Sequence, residues 1–183
     1  MSEIGGLLRE YEKFVTPPWP ARVAAQQRVW CAVYDPTDER RLRLRLGDFE
    51  QVTRQAGHGW LGIDLTDGFS SWLAGLDYRD AYFEAPDDLD VALDEFAAFL
   101  SKRITEAVRG GGAGSGDVVG LFGLASLFGF ASVSKLIEEV APRVEGRLLI
   151  FFPGHHDASN YRLLDARDGW NYHAVPITSQ GGI

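Results

Sequence analysis

A single cysteine, Cys31, excludes an internal disulfide. It lies inside the apolar run VWCAVY with no evident base beside it, which makes it a small core residue rather than a nucleophile. No apolar run approaches the roughly 18 residues that a membrane span needs. The opening MSEIGGLLREYEKF carries acidic residues and lacks the hydrophobic stretch of a secretory signal, so the cytoplasm is the expected compartment. Positive charge is short as well. The formal net charge is -8, and the mean field therefore repels nucleic acid and anionic lipid.

Several chemical signatures are missing too. GLFGLASLFGF supplies Gly120, Gly123 and Gly129, but a phosphate-cradling loop needs Gly-Lys-Ser/Thr at its end. Here Phe130 follows the last glycine and Lys135 comes too late. The dinucleotide fingerprint Gly-x-Gly-x-x-Gly and the nucleophile elbow Gly-x-Ser-x-Gly are both absent. His155 and His156 are adjacent, so they cannot point the same way from a strand, and Asp157 beside them completes no recognised metal spacing. Internal repeats are absent. No cofactor and no metal are expected, and the balance leans away from an enzyme.

What the sequence does contain is a domain's worth of alternating apolar elements. A 45% hydrophobic chain of 183 residues can bury one sizeable core, read here as a single domain over 1–183. Ile4, Leu7, Leu8, Tyr11 and Val15 recur at helical spacing until TPPWP stops the helix. VWCAVYDP reads as a buried strand and turn. RRLRLRLGDFEQVTRQAG begins with Arg/Leu alternation, but Leu42, Leu46, Phe49 and Val52 share a helical face; a helix accounts for the whole segment, with Thr37 or Asp38 as its cap and Gly57 as its stop. GWLGIDLTD is a second strand and GFSSWLAGL a short helix. From Pro86 a long helix presents Leu89, Leu93, Phe96, Leu100, Ile104 and Val108 on one side. GGGAGSG (110–116) is predicted to be a flexible hinge.

Beyond it, DVVGLFGL is a third strand, and a helix follows that ends near Pro142, with Ser126 as its expected cap. RLLIFFPG is a fourth strand, predicted to stop at Pro153 and Gly154. The tail offers two more strands, YRLLDA and NYHAVPI, around an RDGW turn, which together suit an antiparallel edge hairpin. Strands interleaved with helices predict a three-layer α/β fold. Its sheet is mostly parallel, with four to six strands and helices on both faces, like a Rossmann or P-loop NTPase scaffold without the phosphate loop.

Three constellations carry candidate chemistry. In an open α/β sheet, ligands bind beyond the carboxyl ends of the strands. Those ends present Asp35, Asp64 or Asp67, Ser126 and His155, a set suited to acid/base or metal-assisted hydrolysis, as in a hydrolase or nuclease. The same residues are also ordinary turn punctuation. Arg40, Arg41, Arg43 and Arg45 form a basic cluster that suits phosphate, DNA or an acidic partner, or a solvated helix face. Finally, the tail mixes Tyr161, Trp170 and Tyr172 with Arg162, Arg167, Asp165 and Asp168, residue types enriched at interface centres. Those seven are the candidate partner-binding residues; the other reading folds the aromatics over the protein's own core.

The order of these segments resembles the BrxB family of bacterial BREX phage-exclusion systems. The likeness is carried by VWCAVYDPTDE, GWLGIDLTDGF, DVVGLFGLASLFGFASVSKLIEEVAPRVEGRLLIFFPG and YRLLDARDGWNYHAVPI, from about Val29 to Ile177. The resemblance implies a cytoplasmic antiviral-defence protein that assembles or regulates other BREX proteins. Its leading implied partner is the alkaline-phosphatase-like PglZ protein. It supplies no catalytic residues to carry over. The chain departs from the family in GGGAGSG and in its longer end from His155 onward.

Overall fold

A Ser2 hydroxyl that accepts the Gly5 amide at 3.2 Å starts the first helix, α1 (Glu3–Val15), in this computed structural model, which describes residues 2–157, 160–164 and 173–181. The buried stripe of α1 is Ile4, Leu7, Tyr11 and Val15, the spacing predicted. Strand β1 (Val29–Tyr34) follows, with all six residues buried. Helix α2 (Glu39–Gln55) confirms the helical reading of the Arg/Leu segment. Leu42 and Phe49 face the core, while Leu44, which alternation would have placed beside Leu42, is 80% exposed. Gly57, at φ +86°, ends the helix in a conformation that side chains disfavour.

The remaining elements are β2 (Gly59–Asp64), α3 (Gly68–Ala74), α4 (Arg79–Glu84), α5 (Leu89–Gly110), β3 (Asp117–Phe122), α6 (Val133–Val140), β4 (Arg147–Asp157), β5 (Asn160–Leu163) and β6 (Val175–Ile177). The sheet runs β2-β3-β4-β1-β6 with every neighbour parallel, and β5 pairs antiparallel with the far end of β4. This is the three-layer α/β arrangement expected, with six strands among the described residues.

Two-residue alternation divides the core between the two faces of the sheet. Val29, Cys31 and Val33 of β1, with Leu148, Ile150 and Phe152 of β4, pack against Phe96, Leu100 and Ile104 of α5 and Leu136 and Ile137 of α6. Trp30, Ala32 and Tyr34, with Leu149 and Phe151, pack against α1 and α2. Burial on both faces is why these strands read as unbroken apolar runs. On the second face the rings of Phe49 and Phe151 meet edge-on, with centroids 4.9 Å apart.

Several local expectations are corrected. Asp38 stands at the start of α2, but its carboxylate holds Arg41 at 2.5 Å instead of a backbone amide; the amide of Thr37 is taken by Asp35 at 2.8 Å. Ser126 does not cap α6. Ser132 does, accepting from Lys135 N, while Ser126 sits in the short 3-10 turn Leu124–Leu127. Pro153 and Gly154 do not end β4. The strand passes through them and changes partners, from parallel β1 up to Tyr34↔Pro153 to antiparallel β5 from Gly154↔Leu163. Pro153 has no N–H to offer, yet its carbonyl accepts from Leu164 N at 2.9 Å. Gly154 is required there, because a Cβ would lie 2.0 Å from Arg162 O.

The tail strands do not pair with each other. β5 folds back on β4, and β6 lies beside β1 as a parallel outer strand. The expected RDGW turn (167–170) lies outside the described residues. The glycine-rich 110–116 stretch forms the connection from α5 to β3. Within it Gly114 N donates to an Asp117 carboxylate oxygen at 2.7 Å, and Asp117 N to Gly114 O at 3.1 Å.

Candidate functional site

The carboxyl ends of the strands gather the predicted acids and imidazole along one edge of the sheet but not at one point. The strand order puts Asp64 on β2 and Asp35 after β1, three strand spacings or about 14 Å apart. Asp35 and His155 share a cavity of about 410 Å³ with Glu3, Tyr34 and Ser179. Asp64 and Asp67 instead line a separate opening with Thr66 and Arg103.

Each of these side chains is engaged locally. Asp35 accepts from the amide and hydroxyl of Thr37 at 2.8 and 2.6 Å, which holds its carboxyl below the usual range, with His155 adding to the effect. Burial alone would raise Asp64, but the hydroxyl and amide of Thr66, with Arg43, outweigh it and leave the carboxyl lowered. Asp67 is lowered by Arg103, which donates at 2.8 Å, and by Ser71. Carboxylates held low are weak proton acceptors. The Ser126 hydroxyl is directed at Gly123 O (2.7 Å) and Leu65 O (3.1 Å), with no imidazole partner. Glu3 differs: burial raises its pKa, and Asp38 and Asp35 beside it add to the rise against the opposing Asp35 amide. Among the described residues, no group of three or more His, Cys, Asp or Glu could hold a metal ion. Cys31 is fully buried, and burial pushes its thiol up.

The other two constellations fare differently. On α2, Arg41 pairs with Asp38, Arg43 with Glu39 and Asp64, and Arg45 with Asp48 at 2.7 Å, so much of the cluster's charge is answered within the fold. In the tail, Tyr161 is 1% exposed. Its hydroxyl donates to Ala174 O at 2.9 Å and its ring meets Phe152 and His156, so it pins the β4–β5 hairpin and offers nothing to a partner. Arg162 is exposed. Asp165, Arg167, Asp168, Trp170 and Tyr172 lie outside the described residues.

Two features escaped the sequence reading. The first is an acidic arm. From Asp77 to Glu95 the chain carries eight carboxylates against Arg79, and within it Tyr78, Phe83 and Val91 are 52%, 68% and 87% exposed. The density of acid was visible in the sequence; the outward aromatics were not. The second is a cavity of about 860 Å³ at the amino ends of the strands, lined by Trp19, Arg22, Arg28, His58, Ser115 and Arg147 among others. Arg147 begins β4 and is buried, with its guanidinium 4.7 Å from the centre of the Trp19 ring and 5.7 Å from that of Trp30. His58 stacks on Trp19, centroids 3.6 Å apart and rings within 3° of parallel. His58 is itself held by a 2.9 Å hydrogen bond between Nδ1 and Gly116 O.

Comparison with protein-family models, with curated proteins and with solved structures finds no match in any of the three. Among the described residues, no helix is long and apolar enough to cross a membrane.

Proposed function

We propose that the chain is a non-catalytic assembly or regulatory component of a bacterial BREX-type phage defence complex, acting by binding other proteins of the system. A PglZ-like protein is the leading partner. The reading draws on the order of segments between Val29 and Ile177 and on the engagement of Asp35, Asp64 and Ser126 in local hydrogen bonds.

The observation that carries it is the arm from Asp77 to Glu95. Exposed apolar surface rimmed by polar residues marks sites of protein–protein interaction. Aromatic side chains are over-represented at interface centres, and the rim around such centres is polar. The charge of the arm selects a basic partner face and speeds its encounter.

Co-purification from the native host with the PglZ-like protein tests this. Substituting Phe83→Asp and Val91→Asp together leaves the core untouched and should abolish capture. A chain that runs as a clean monomer, with no BREX protein bound at native concentrations, counts decisively against the proposal. The alternative of a hydrolase or nuclease draws on Asp35 and His155, which line one cavity. It requires Asp35→Asn and His155→Ala to remove a measurable turnover.

A further inference from the structure

We propose that the cavity at the amino edge of the sheet is a binding site for a small organophosphate, with the phosphate group held between Arg28 and Arg147. This edge lies opposite the acidic carboxyl ends, and the proposal stands independently of the assembly reading.

The first observation is a buried charge without a counter-charge. Arg147 is only 5% exposed, and among the described residues no carboxylate pairs with it. Its one hydrogen bond there runs from Nη1 to Gly146 O at 3.4 Å. Arg28, on the same cavity, donates from Nη1 to Glu145 O at 3.2 Å. Each of these neutral carbonyls satisfies one N–H and leaves the positive charge without a counter-ion among the described residues, beyond the faces of Trp19 and Trp30 against Arg147. The Glu145 side chain is exposed at the rim and forms no ion pair with either arginine. Burial and the nearby Arg28 both push the Arg147 pKa down, the direction expected when two cations face a shared space, although arginine keeps its charge at neutral pH. Burying a charge is costly unless it is paired. A site that brings two guanidiniums together without an acid is completed by an anion.

The second observation is a surplus of donors. Arg28 Nε and Trp19 Nε1 are buried N–H groups with no acceptor among the described residues. Buried donors are almost always satisfied, so such exceptions call for an explanation. Both residues line the same cavity as Arg147. These two N–H groups have almost no open surface and mark a wall rich in donors; the guanidinium groups that line the cavity beside them suit a ligand that only accepts hydrogen bonds and carries negative charge. A phosphate has that chemistry, and guanidinium forks match its geometry.

The third observation is size. A volume of about 860 Å³ falls within the roughly 300–1,000 Å³ usual for small-molecule sites and far exceeds one phosphate. The Pro20–Ala24 wall and Ser115 leave room for an organic portion. The His58–Trp19–Arg147 stack holds the aromatic wall in place.

The test is a titration of the full chain with inorganic phosphate, ribose 5-phosphate and AMP at matched ionic strength, read by tryptophan fluorescence and by thermal shift. Saturable binding is expected, tighter for at least one ester than for inorganic phosphate. Arg28→Gln should weaken it about tenfold or more, the loss that follows removal of a charge-assisted hydrogen bond. Arg147→Met removes the buried cation, so it should abolish binding while raising the ligand-free melting temperature. If Arg147→Met fails to fold, Arg28→Gln decides. No saturable binding by any of the three compounds, affinity unchanged in Arg28→Gln, or binding of inorganic phosphate with both esters excluded would each overturn the proposal.

Discussion

Arg43 of α2 reaches the carboxylate of Asp64 at the end of β2, Nη1 to Oδ2 3.3 Å, while its Nε holds Glu39 one turn back at 2.8 Å. One side chain thus ties the first crossover helix to the edge strand it leads into. Arg43→Ala should destabilise the fold by about 1 kcal/mol or less, because the pair is partly solvated. Urea denaturation at neutral pH measures it.

Asp64 also sets an acid limb, held low against its burial by Thr66 first and by Arg43 after it. The folded pKa of Asp64 lies below its ordinary value of 3.8, so its contribution is present above that value and is lost as pH falls through the folded one. Asp64→Asn should lower stability near neutrality and flatten the loss below about pH 4. Melting temperature against pH for the two proteins compares the slopes directly.

His156 works at a higher pH. Burial against the hairpin lowers its pKa from 6.5, with Asp157 opposing. A base whose folded pKa is depressed binds more protons when unfolded, so stability falls as pH drops through about 6.5. His156→Gln should remove that part of the pH dependence. A melting series across this range with unchanged slope would show that His156 contributes nothing.

Phe49 sits between Tyr11 and Phe151 and is fully buried. Phe49→Ala should cost about 3–5 kcal/mol by chemical denaturation.

Gly154 has no room for a methyl group, since a Cβ would lie 2.0 Å from Arg162 O. Gly154→Ala should unseat β5 and leave the parallel strands in place. Limited proteolysis then cuts first between 155 and 164, while far-UV circular dichroism changes little.

The layers were legible because burial on both faces forces continuous apolar runs, and Leu44 shows why the helical reading of α2 succeeded: a strand would have buried it. Partner choice was not legible. Pro153–Gly154 has the composition of a strand stop, and only the backbone of β5 reveals that the pair switches β4 from one neighbour to another. The separation of Asp35 from Asp64 follows from strand order, which no local spacing encodes. Arg147 reads as a lone flanking charge before LLIFF. Its burial depends on Trp19, in a proline-rich loop at the other end of the chain, so no window of sequence contains both.

The position of β1 also bears on how the protein is made. Among the described strands it comes first in chain order, yet its two neighbours, β4 and β6, come fourth and sixth. Until residues 147–177 emerge, this strand, all six of whose residues are buried in the fold, has both flanks open to other strands. Synthesis therefore carries an interval of vulnerability that ends only when Val175–Ile177 closes the outer side.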